Sequence, residues 1–481
     1  MLVRQIFDPK LAQYAYLVGC PATGEALIID PERDIDQYIN LAEENGLEIT
    51  AVADTHIHAD YLTGLREFAE RGVTVYGSDE GDADWKYEWL LDSDYEYELL
   101  TDGDTFMVGN IAVEAVHSPG HTPEHLSYVI TDQGGGSEEP IAVATGDFVF
   151  VGDLGRPDLL ETAAGLKGTM VEGAKVLYDS VERFKREMPE FLQVWPAHGA
   201  GSACGKALGD IPLSTVGYEL RNNASIQASD SKENFVDFIL SGQPEPPMYF
   251  ARMKRDNKLG PAVLGGHLPQ PKKLMVNELK ALADDTDVAV VDTRLDRSSF
   301  MRRHLPGALY APLNKSFPTV TGSFIEEDTP IVLIIEEDNV EEAVRDLVRI
   351  GLDNVEGFAT PDMLDQIDNL IRTPEIDFAD VKQRREDGDA LVFDVRGRSE
   401  YEEGHVPGAA NLAHTRLLVR KGEVPADKTL LVHCASGARA AVASALLERF
   451  GHRVEFVNDD FESWAQMGEM ATGDEKAPAT A

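Results

Sequence analysis

The sequence predicts a multidomain chain of mixed α/β and α+β class, and three observations carry that expectation. At 481 residues with 43% hydrophobic content, the chain is too long for one ordinary core and has apolar material for several. Its first half repeatedly runs strand-like apolar segments into histidines and aspartates, at Thr55-His56-Ile57-His58-Ala59-Asp60 and again at His121, Asp147 and His198. Its second half contains one pattern twice, around Asp292 and around Asp394.

Taken in order, Tyr14 to Val18 and Ala26 to Ile29 read as strands, the second broken by Asp30-Pro31, with a helix from Asp34 to Asn45. Ile49 to Ala53 reads as a buried strand and Leu65 to Arg71 as an amphipathic helix, which puts His56, His58 and Asp60 at a strand end. A strand from Val73 to Tyr76 precedes an acidic, aromatic connector containing Trp85, Tyr87 and Trp89. A β pair turns at Val108-Gly109-Asn110 and ends in Ser118-Pro119-Gly120-His121-Thr122. Strand Leu126 to Ile130, a Gly-rich hairpin loop from Gln133 to Glu139 and strand Ile141 to Thr145 then deliver Asp147. Composition breaks at Pro244-Glu245-Pro246-Pro247 and across Gly260 to Gln270. These breaks set expected boundaries of 1–250 for a metal domain, 251–271 for a linker, 272–372 and 373–470 for two repeats, and 471–481 for a disordered tail.

Acids outnumber bases 85 to 43, for a formal charge of −42, and only 17 of the bases are Lys. The acids are dispersed, so the basic patches that nucleic acid or an anionic membrane require are missing. A dispersed acidic surface poor in Lys suits a halophilic cytosol, where repulsion is screened within a few Å. No apolar run approaches the ~18 residues of a membrane span, and Met1-Leu2-Val3-Arg4-Gln5 leads into a strand without the apolar stretch of a signal peptide. The expected location is the cytoplasm, and the expected assembly a homo-oligomer. Cys20, Cys204 and Cys434 cannot make a disulfide framework and fit a reducing compartment. Cys20, before Pro21, reads as a small half-buried residue; Cys204 follows His198 closely enough to lie near a pocket, although a structural role is the better reading.

Two His at alternating positions with an Asp two further on bring imidazole and carboxylate around one point, which is a donor set for a metal ion. The ordered set Thr-His-x-His-x-Asp, Ser-Pro-Gly-His-Thr, Thr-Gly-Asp and Pro-Ala-His resembles the metallo-β-lactamase fold, and implies an αββα sandwich with metal at one edge between two sheets. Within that fold, Gly152-Asp153-Leu154-Gly155-Arg156-Pro157-Asp158 resembles the persulfide dioxygenase branch. The resemblance implies a single Fe(II) held by His56, His121 and Asp147. The chemistry agrees, because two His and one carboxylate on one face leave positions for substrate and O₂. Two-zinc hydrolases carry a His directly after the motif's Asp; Tyr61 stands there, which weakens a second site and argues against a dinuclear hydrolase, with zinc kept as the alternative metal. His58, Asp60 and His198 are then expected to orient the ligands or to hydrogen-bond substrate. Arg156 is expected to bind the carboxylate of a thiol carrier, with an Arg156–Asp158 pair that holds the loop as the competing reading.

In the second half, Val288 to Arg294 precedes His304-Leu305-Pro306-Gly307-Ala308, and Leu391 to Arg396 precedes His405-Val406-Pro407-Gly408-Ala409. Each copy continues with a strand and a helix, Ile331 to Ile335 with Val340 to Ile350, then Leu430 to His433 with Arg439 to Phe450. This alternation implies parallel-sheet α/β domains. The Asp-x-Arg and His-x-Pro-Gly-Ala pair resembles the rhodanese family. In the second copy His433-Cys434-Ala435-Ser436-Gly437-Ala438-Arg439 places Cys434 at a strand end and Arg439 at a helix start, where loop N–H groups and the helix dipole stabilise a thiolate or a bound anion. The resemblance implies that the thiolate carries sulfane sulfur. Four residues separate Cys434 from Arg439, one fewer than in the loop of cysteine phosphatases. The first copy ends Ile334-Ile335-Glu336-Glu337-Asp338, so a carboxylate is expected near the place of the Cys and the copy is expected to be inactive.

Together these readings predict a persulfide dioxygenase fused to an inactive and an active rhodanese domain, with Cys434 and Arg439 as the sulfur-transfer residues. The partners expected are glutathione persulfide or another small thiol persulfide, O₂, sulfite and thiosulfate. The competing functions are a dinuclear zinc thioester hydrolase of the glyoxalase II kind with attached sulfurtransferase domains, and a non-enzymatic sulfur carrier or sensor.

Overall fold

The computed structural model describes residues 1–91, 93–162, 168–386, 388–467 and 470–473. The chain divides into two compact units, one formed by Met1–Leu268 with Val348–Gly351, the other by Pro269–Leu347 with Leu352–Ala481.

The first unit is built on two six-stranded sheets. One contains β1 (Leu2–Asp8), β2 (Gln13–Cys20), β3 (Glu25–Ile29), β4 (Glu48–Ala53), β5 (Thr74–Ser78) and β6 (Tyr97–Leu100), in that spatial order. The other runs β12 (Ser214–Thr215), β11 (Gln193–Pro196), β10 (Ala142–Gly146), β9 (Leu126–Asp132), β8 (Ile111–His117) and β7 (Thr105–Val108). Alternation within β2 shows how the layers arise. Tyr14, Tyr16 and Val18 enter one core with Phe106, Val113, Tyr128 and Trp195 of the second sheet. Ala15 and Leu17 point the other way, to a core shared with Tyr38 of α1 (Asp36–Glu44) and with Leu65 and Phe68 of α2 (Leu65–Ala69). The second sheet's outer face takes Ala174, Leu177, Val181 and Phe184, the apolar stripe of α3 (Met170–Glu187). Each Leu, Val or Phe of that stripe contributes about 1.5–3 kcal/mol by leaving water. The result is the expected αββα sandwich.

Parallel pairing aims the functional loops. β3 pairs parallel with β4, and β10 parallel with β11, so the loops at Asp30, Thr55, Asp147 and His198 all follow strand C-termini. The stretch expected to be a linker contains a helix instead, α4 (Phe250–Leu259). Its Asn257 is fully buried, its side-chain amide answers three backbone groups of the metal stretch, and the first unit extends to Leu268.

The second unit holds two five-stranded parallel sheets of identical order. The first is β13 (Lys272–Lys273), β17 (Val355–Ala359), β16 (Ile331–Ile334), β14 (Ala289–Asp292) and β15 (Leu309–Tyr310). The second is β18 (Glu375–Ile376), β22 (Val454–Val457), β21 (Thr429–His433), β19 (Ala390–Asp394) and β20 (Ala410–Asn411). Its helices include α5 (Arg297–Arg302), α6 (Val340–Arg349, which passes into the first unit at Val348), α7 (Arg398–Glu403) and α8 (Ala438–Arg449). The repeated motifs do the same work in both copies. Asp292 pairs with Arg294 at 2.7 Å and Asp394 with Arg396 at 2.6 Å, while His304 and His405 each bond the carbonyl four residues earlier. Ala471 pairs with His405 at the start of the expected tail, whose residues 474–481 lie outside the described residues.

Candidate functional site

Three of the sequence-predicted ligands converge. His56 Nε2 lies 3.9 Å and His121 Nε2 3.4 Å from Asp147 Oδ2, all three side chains are buried, and their donor atoms lie within 4.8 Å of one another. Neither Asp147 oxygen has a hydrogen-bond partner among the described residues. A buried carboxylate in that condition is costly unless a cation answers it, so the set fits a metal ion.

The imidazoles are aimed by their far nitrogens. His121 Nδ1 lies 3.0 Å from the Arg156 carbonyl, so it donates there and turns an unprotonated Nε2 inward, and His198 Nδ1 is likewise anchored by the Ala12 carbonyl at 3.1 Å. His56 Nδ1 donates to Thr55 Oγ at 3.0 Å, because that hydroxyl gives its own proton to Asp30 Oδ2 at 3.0 Å. Asp30 is the hub of this support. It also accepts the Thr55 N–H at 2.7 Å, and it holds the left-handed conformation at φ +53° directly before Pro31. His125 accepts the Asp147 N–H at 3.1 Å on Nε2 and turns Nδ1 to Ser118 Oγ at 2.8 Å. Gly146 (φ +51°) permits this junction, since a Cβ there would meet Thr55 Oγ and His125 Nε2 at 2.5 and 2.6 Å. Burial first, then the neighbouring imidazole charges, push His56 well below the ordinary histidine range; His121 is also lowered, chiefly by burial. Both are therefore neutral, as metal ligands must be.

The remaining predicted residues separate into different roles. Asp60 and His198 form a second donor group with Cys204, joined to the first where His198 Nε2 lies 3.2 Å from Asp60 Oδ2 and 3.4 Å from Asp147 Oδ1. Burial would lower His198, but Asp147, Cys204 and Asp60 raise it well above the usual range. Burial, with Asp147 and Asp60, pushes the Cys204 thiol up to about 12. His58 turns away from this centre. Its Nε2 lies 3.1 Å from Asp30 and 3.0 Å from the Tyr61 hydroxyl, so Tyr61 serves the support beneath the ligands. Burial opposes the charge on His58, yet Asp30 and Asp54 raise it to about 9. Arg156 requires a correction. Its guanidinium is fully buried and bonds Asp158 at 2.8 and 2.6 Å, the Ala203 carbonyl at 3.1 Å and the Pro244 carbonyl at 2.6 Å. Those donors are spent on protein acceptors, so Arg156 locks the loop that presents its carbonyl to His121 and does not await a substrate carboxylate.

Sequence reasoning missed Asp30, Thr55, His125 and Asn257. His125 carried a faint signal, four residues after His121 on the approach to a strand. Asn257 carried none, because its partners lie near residue 60: its Nδ2 donates at 2.8 Å to the His58 and Tyr61 carbonyls, and its Oδ1 accepts the Thr63 N–H at 3.0 Å.

In the second unit Cys434 directly follows β21, buried, and Gly437 (φ +85°) caps α8. Arg439 stands in the first turn of α8, but Glu400 of α7 grips it at 2.6 and 2.7 Å and raises its already high pKa. Sheet register corrects the reading of the inactive copy. Asp394 pairs with His433 and Asp292 with Ile334, so the residue at the Cys434 position is Ile335, which is 1% exposed. Glu336 comes one residue later, in a loop that carries carboxylates where an anion would lie.

The metallo-beta-lactamase superfamily model matches residues 8–192, and the rhodanese-like domain model matches 275–357 and 377–467. Persulfide dioxygenase ETHE1 of Bos taurus is 32% identical over 203 residues, covering 41% of this chain and 68% of that protein. The chain belongs to the metallo-β-lactamase-fold persulfide dioxygenase family. Its second unit adds tandem rhodanese-like domains. A metallo-beta-lactamase structure from Staphylococcus aureus subsp. aureus COL is 36% identical, with a TM-score of 0.66 over 75% of this chain and 99% of that one. A probable polyketide biosynthesis zinc-dependent hydrolase, BaeB of Bacillus velezensis, is 25% identical over 227 residues, 47% of this chain and 87% of that protein. No helix among the described residues is long and apolar enough to cross a membrane.

Proposed function

We propose that the first unit is an iron(II)-dependent dioxygenase of a low-molecular-weight thiol persulfide, with one iron per chain held by His56, His121 and Asp147, and that the second unit moves sulfane sulfur through Cys434. The observation that carries this reading is the Asp147 carboxylate, buried beside the neutral, oriented imidazoles of His56 and His121, with neither oxygen hydrogen-bonded among the described residues. The chemistry that Fe(II) supplies in such a set is open coordination for the persulfide's terminal sulfur and for O₂. The chain's own residues do the rest. Thr55, Asp30 and the Arg156 carbonyl hold the imidazoles in one tautomer and orientation. Asp60 and His198, 3.2 Å apart, form a buried charged pair beside Asp147 that holds the far side of the site in place. The overall balance is one thiol persulfide, one O₂ and one water giving the thiol, sulfite and two protons. Cys434 then carries a second sulfane sulfur, to or from sulfite as thiosulfate. Glutathione is the thiol to try first. The acidic, Lys-poor surface supports a salt-rich cytoplasm as the working environment.

One observation favours a second reading: Asp60, His198 and Cys204 offer donors for a second metal, as a zinc thioester hydrolase would need. Metal content of the protein purified without added metal separates the two. About one iron per chain with O₂ uptake on glutathione persulfide supports the dioxygenase; about two zincs with thioester hydrolysis overturns it. Asp147→Ala is expected to abolish O₂ uptake, and Cys434→Ser to spare it while removing sulfur transfer. Loss of O₂ uptake on free persulfide in Cys434→Ser would show that the two activities are not divided between two sites.

A further inference from the structure

The Cys434 loop has an electrostatic gap that its own residues do not fill. Its arginine, Arg439, is neutralised by a two-pronged pair with Glu400, and Glu400 is itself fixed by accepting the Gly397 N–H at 3.0 Å. The other nearby motif arginine, Arg396, is held by Asp394. Yet the chain carries a net charge of −42, so a doubly charged sulfur oxyanion approaches Cys434 against an unfavourable field.

The guanidinium that meets the loop without a carboxylate comes from the copy that lacks the cysteine. Arg297, the first residue of α5, lies against Gly437 so closely that a Cβ there would sit 3.2 Å from its Cζ and its Nη2. Its Nε donates to Asn458 Oδ1 at 2.8 Å, and the Asn458 amide is held in turn by Ser298 and Glu375. Among the described residues no acid pairs with Arg297. Gly437 is thus glycine for two reasons, its left-handed backbone and the room it leaves for this side chain. Arg297 and Tyr310 of the first copy, with His414, Ala438 and Arg439 of the second, line one cavity of about 180 Å³.

We propose that Arg297 of the Cys-less copy is a substrate-binding residue of the Cys434 site and holds the oxygen end of sulfite or thiosulfate while sulfur moves at Cys434. This rests on the reading that Cys434 carries sulfane sulfur. In the transfer, the sulfur lone pair of sulfite attacks the terminal sulfur of the Cys434 persulfide anion and a new S–S bond forms. The old S–S bond breaks with its electrons left on Sγ, giving thiosulfate and the Cys434 thiolate with total charge unchanged. Arg297's planar fork matches the sulfonate-like oxygens, which a point charge matches less well.

The test is steady-state transfer from thiosulfate to cyanide by the full chain. Loss of one charge-assisted contact costs about ten- to a hundredfold in affinity, so Arg297→Gln is expected to raise the thiosulfate KM by about tenfold or more with kcat changed less than about threefold. Arg297→Lys should recover part of that loss, and it carries the test alone if the Gln variant does not fold. O₂ uptake on glutathione persulfide should not change in either. An unchanged KM in both variants, or a fall in kcat alone, overturns the role of Arg297 while the Cys434 reading stands. Full thiosulfate turnover in Cys434→Ser overturns that reading and the inference with it.

Discussion

Asn257→Ala removes a side chain that touches no predicted ligand, and it should nevertheless loosen the metal centre. The amide supplies two donors, at 2.8 Å to the His58 and Tyr61 carbonyls, and one acceptor, at 3.0 Å from the Thr63 N–H. Asn257 and Thr63 are fully buried, so truncation leaves three backbone groups unanswered. At about 1–3 kcal/mol for each orphaned group, the loss should reach about 3–5 kcal/mol after local relaxation. The three groups span residues 58 to 63, the segment that also carries Asp60 and directly follows His56. Hydrogen exchange read by mass spectrometry on peptides spanning 48–64 reports the opening free energy of this segment separately from the second unit. Metal affinity measured by competition with a chelator should fall in parallel. Exchange slowed to within 1 kcal/mol of the unaltered protein, with metal affinity intact, would refute the claim that α4 braces the centre. Asn257→Asp serves as the control, because it keeps the acceptor for Thr63 and loses both donors, and it should retain only a minor part of the stability.

Two further outcomes follow from the geometry. Thr55→Val keeps the shape but breaks the relay from His56 Nδ1 to Asp30; metal affinity should fall about 10–100-fold while the fold persists by circular dichroism, and unchanged affinity would show that His56 is oriented by packing alone. His414 lines the cavity of the second unit, and burial first, then Arg439, lowers its pKa from 6.5 to about 4. Because the unfolded chain binds a proton at His414 below its ordinary pKa and the folded chain does not until near 4, stability is full above pH 6.5 and declines as pH falls toward 4. At pH 4.5 the penalty should be about 2.5 kcal/mol. It would be read as the difference in denaturant midpoints between the unaltered protein and His414→Asn at pH 7.5 and at pH 4.5; equal pH dependence in the two would refute it.

Electrostatic support in this protein is layered in depth, from ligand to hydroxyl to carboxylate. His56 leans on Thr55, Thr55 on Asp30, and Asp30 also carries the charge of His58. The left-handed backbone at Asp30 is the strained point of that arrangement. The same economy operates at Arg156, whose side chain is locked by Asp158 so that its carbonyl can aim His121.

By itself the sequence determined what is local. Strand periodicity and Gly-Pro breaks located β4, β9, β10 and β21 within a residue or two, since alternation and turn chemistry act over a few residues. His56, His121 and Asp147 were legible as candidates because each lies in the loop that follows a strand, β4, β8 or β10. The duplicated Asp-x-Arg and His-x-Pro-Gly segments were legible because each motif bonds within itself. Tertiary structure alone decided which way a side chain faces and who spends its hydrogen bonds. His58 and Tyr61 sit in the same ten residues as His56 yet turn to Asp30, and Arg156 is consumed by neighbours that spacing could not supply. Asn257 and Arg297 reach across 194 and 161 residues to Thr63 and Asn458, separations over which no pattern in the chain carries a signal. The physical reason is common to all of these. A buried polar group must find its partner in three dimensions, and the partner is chosen by packing, not by position along the chain.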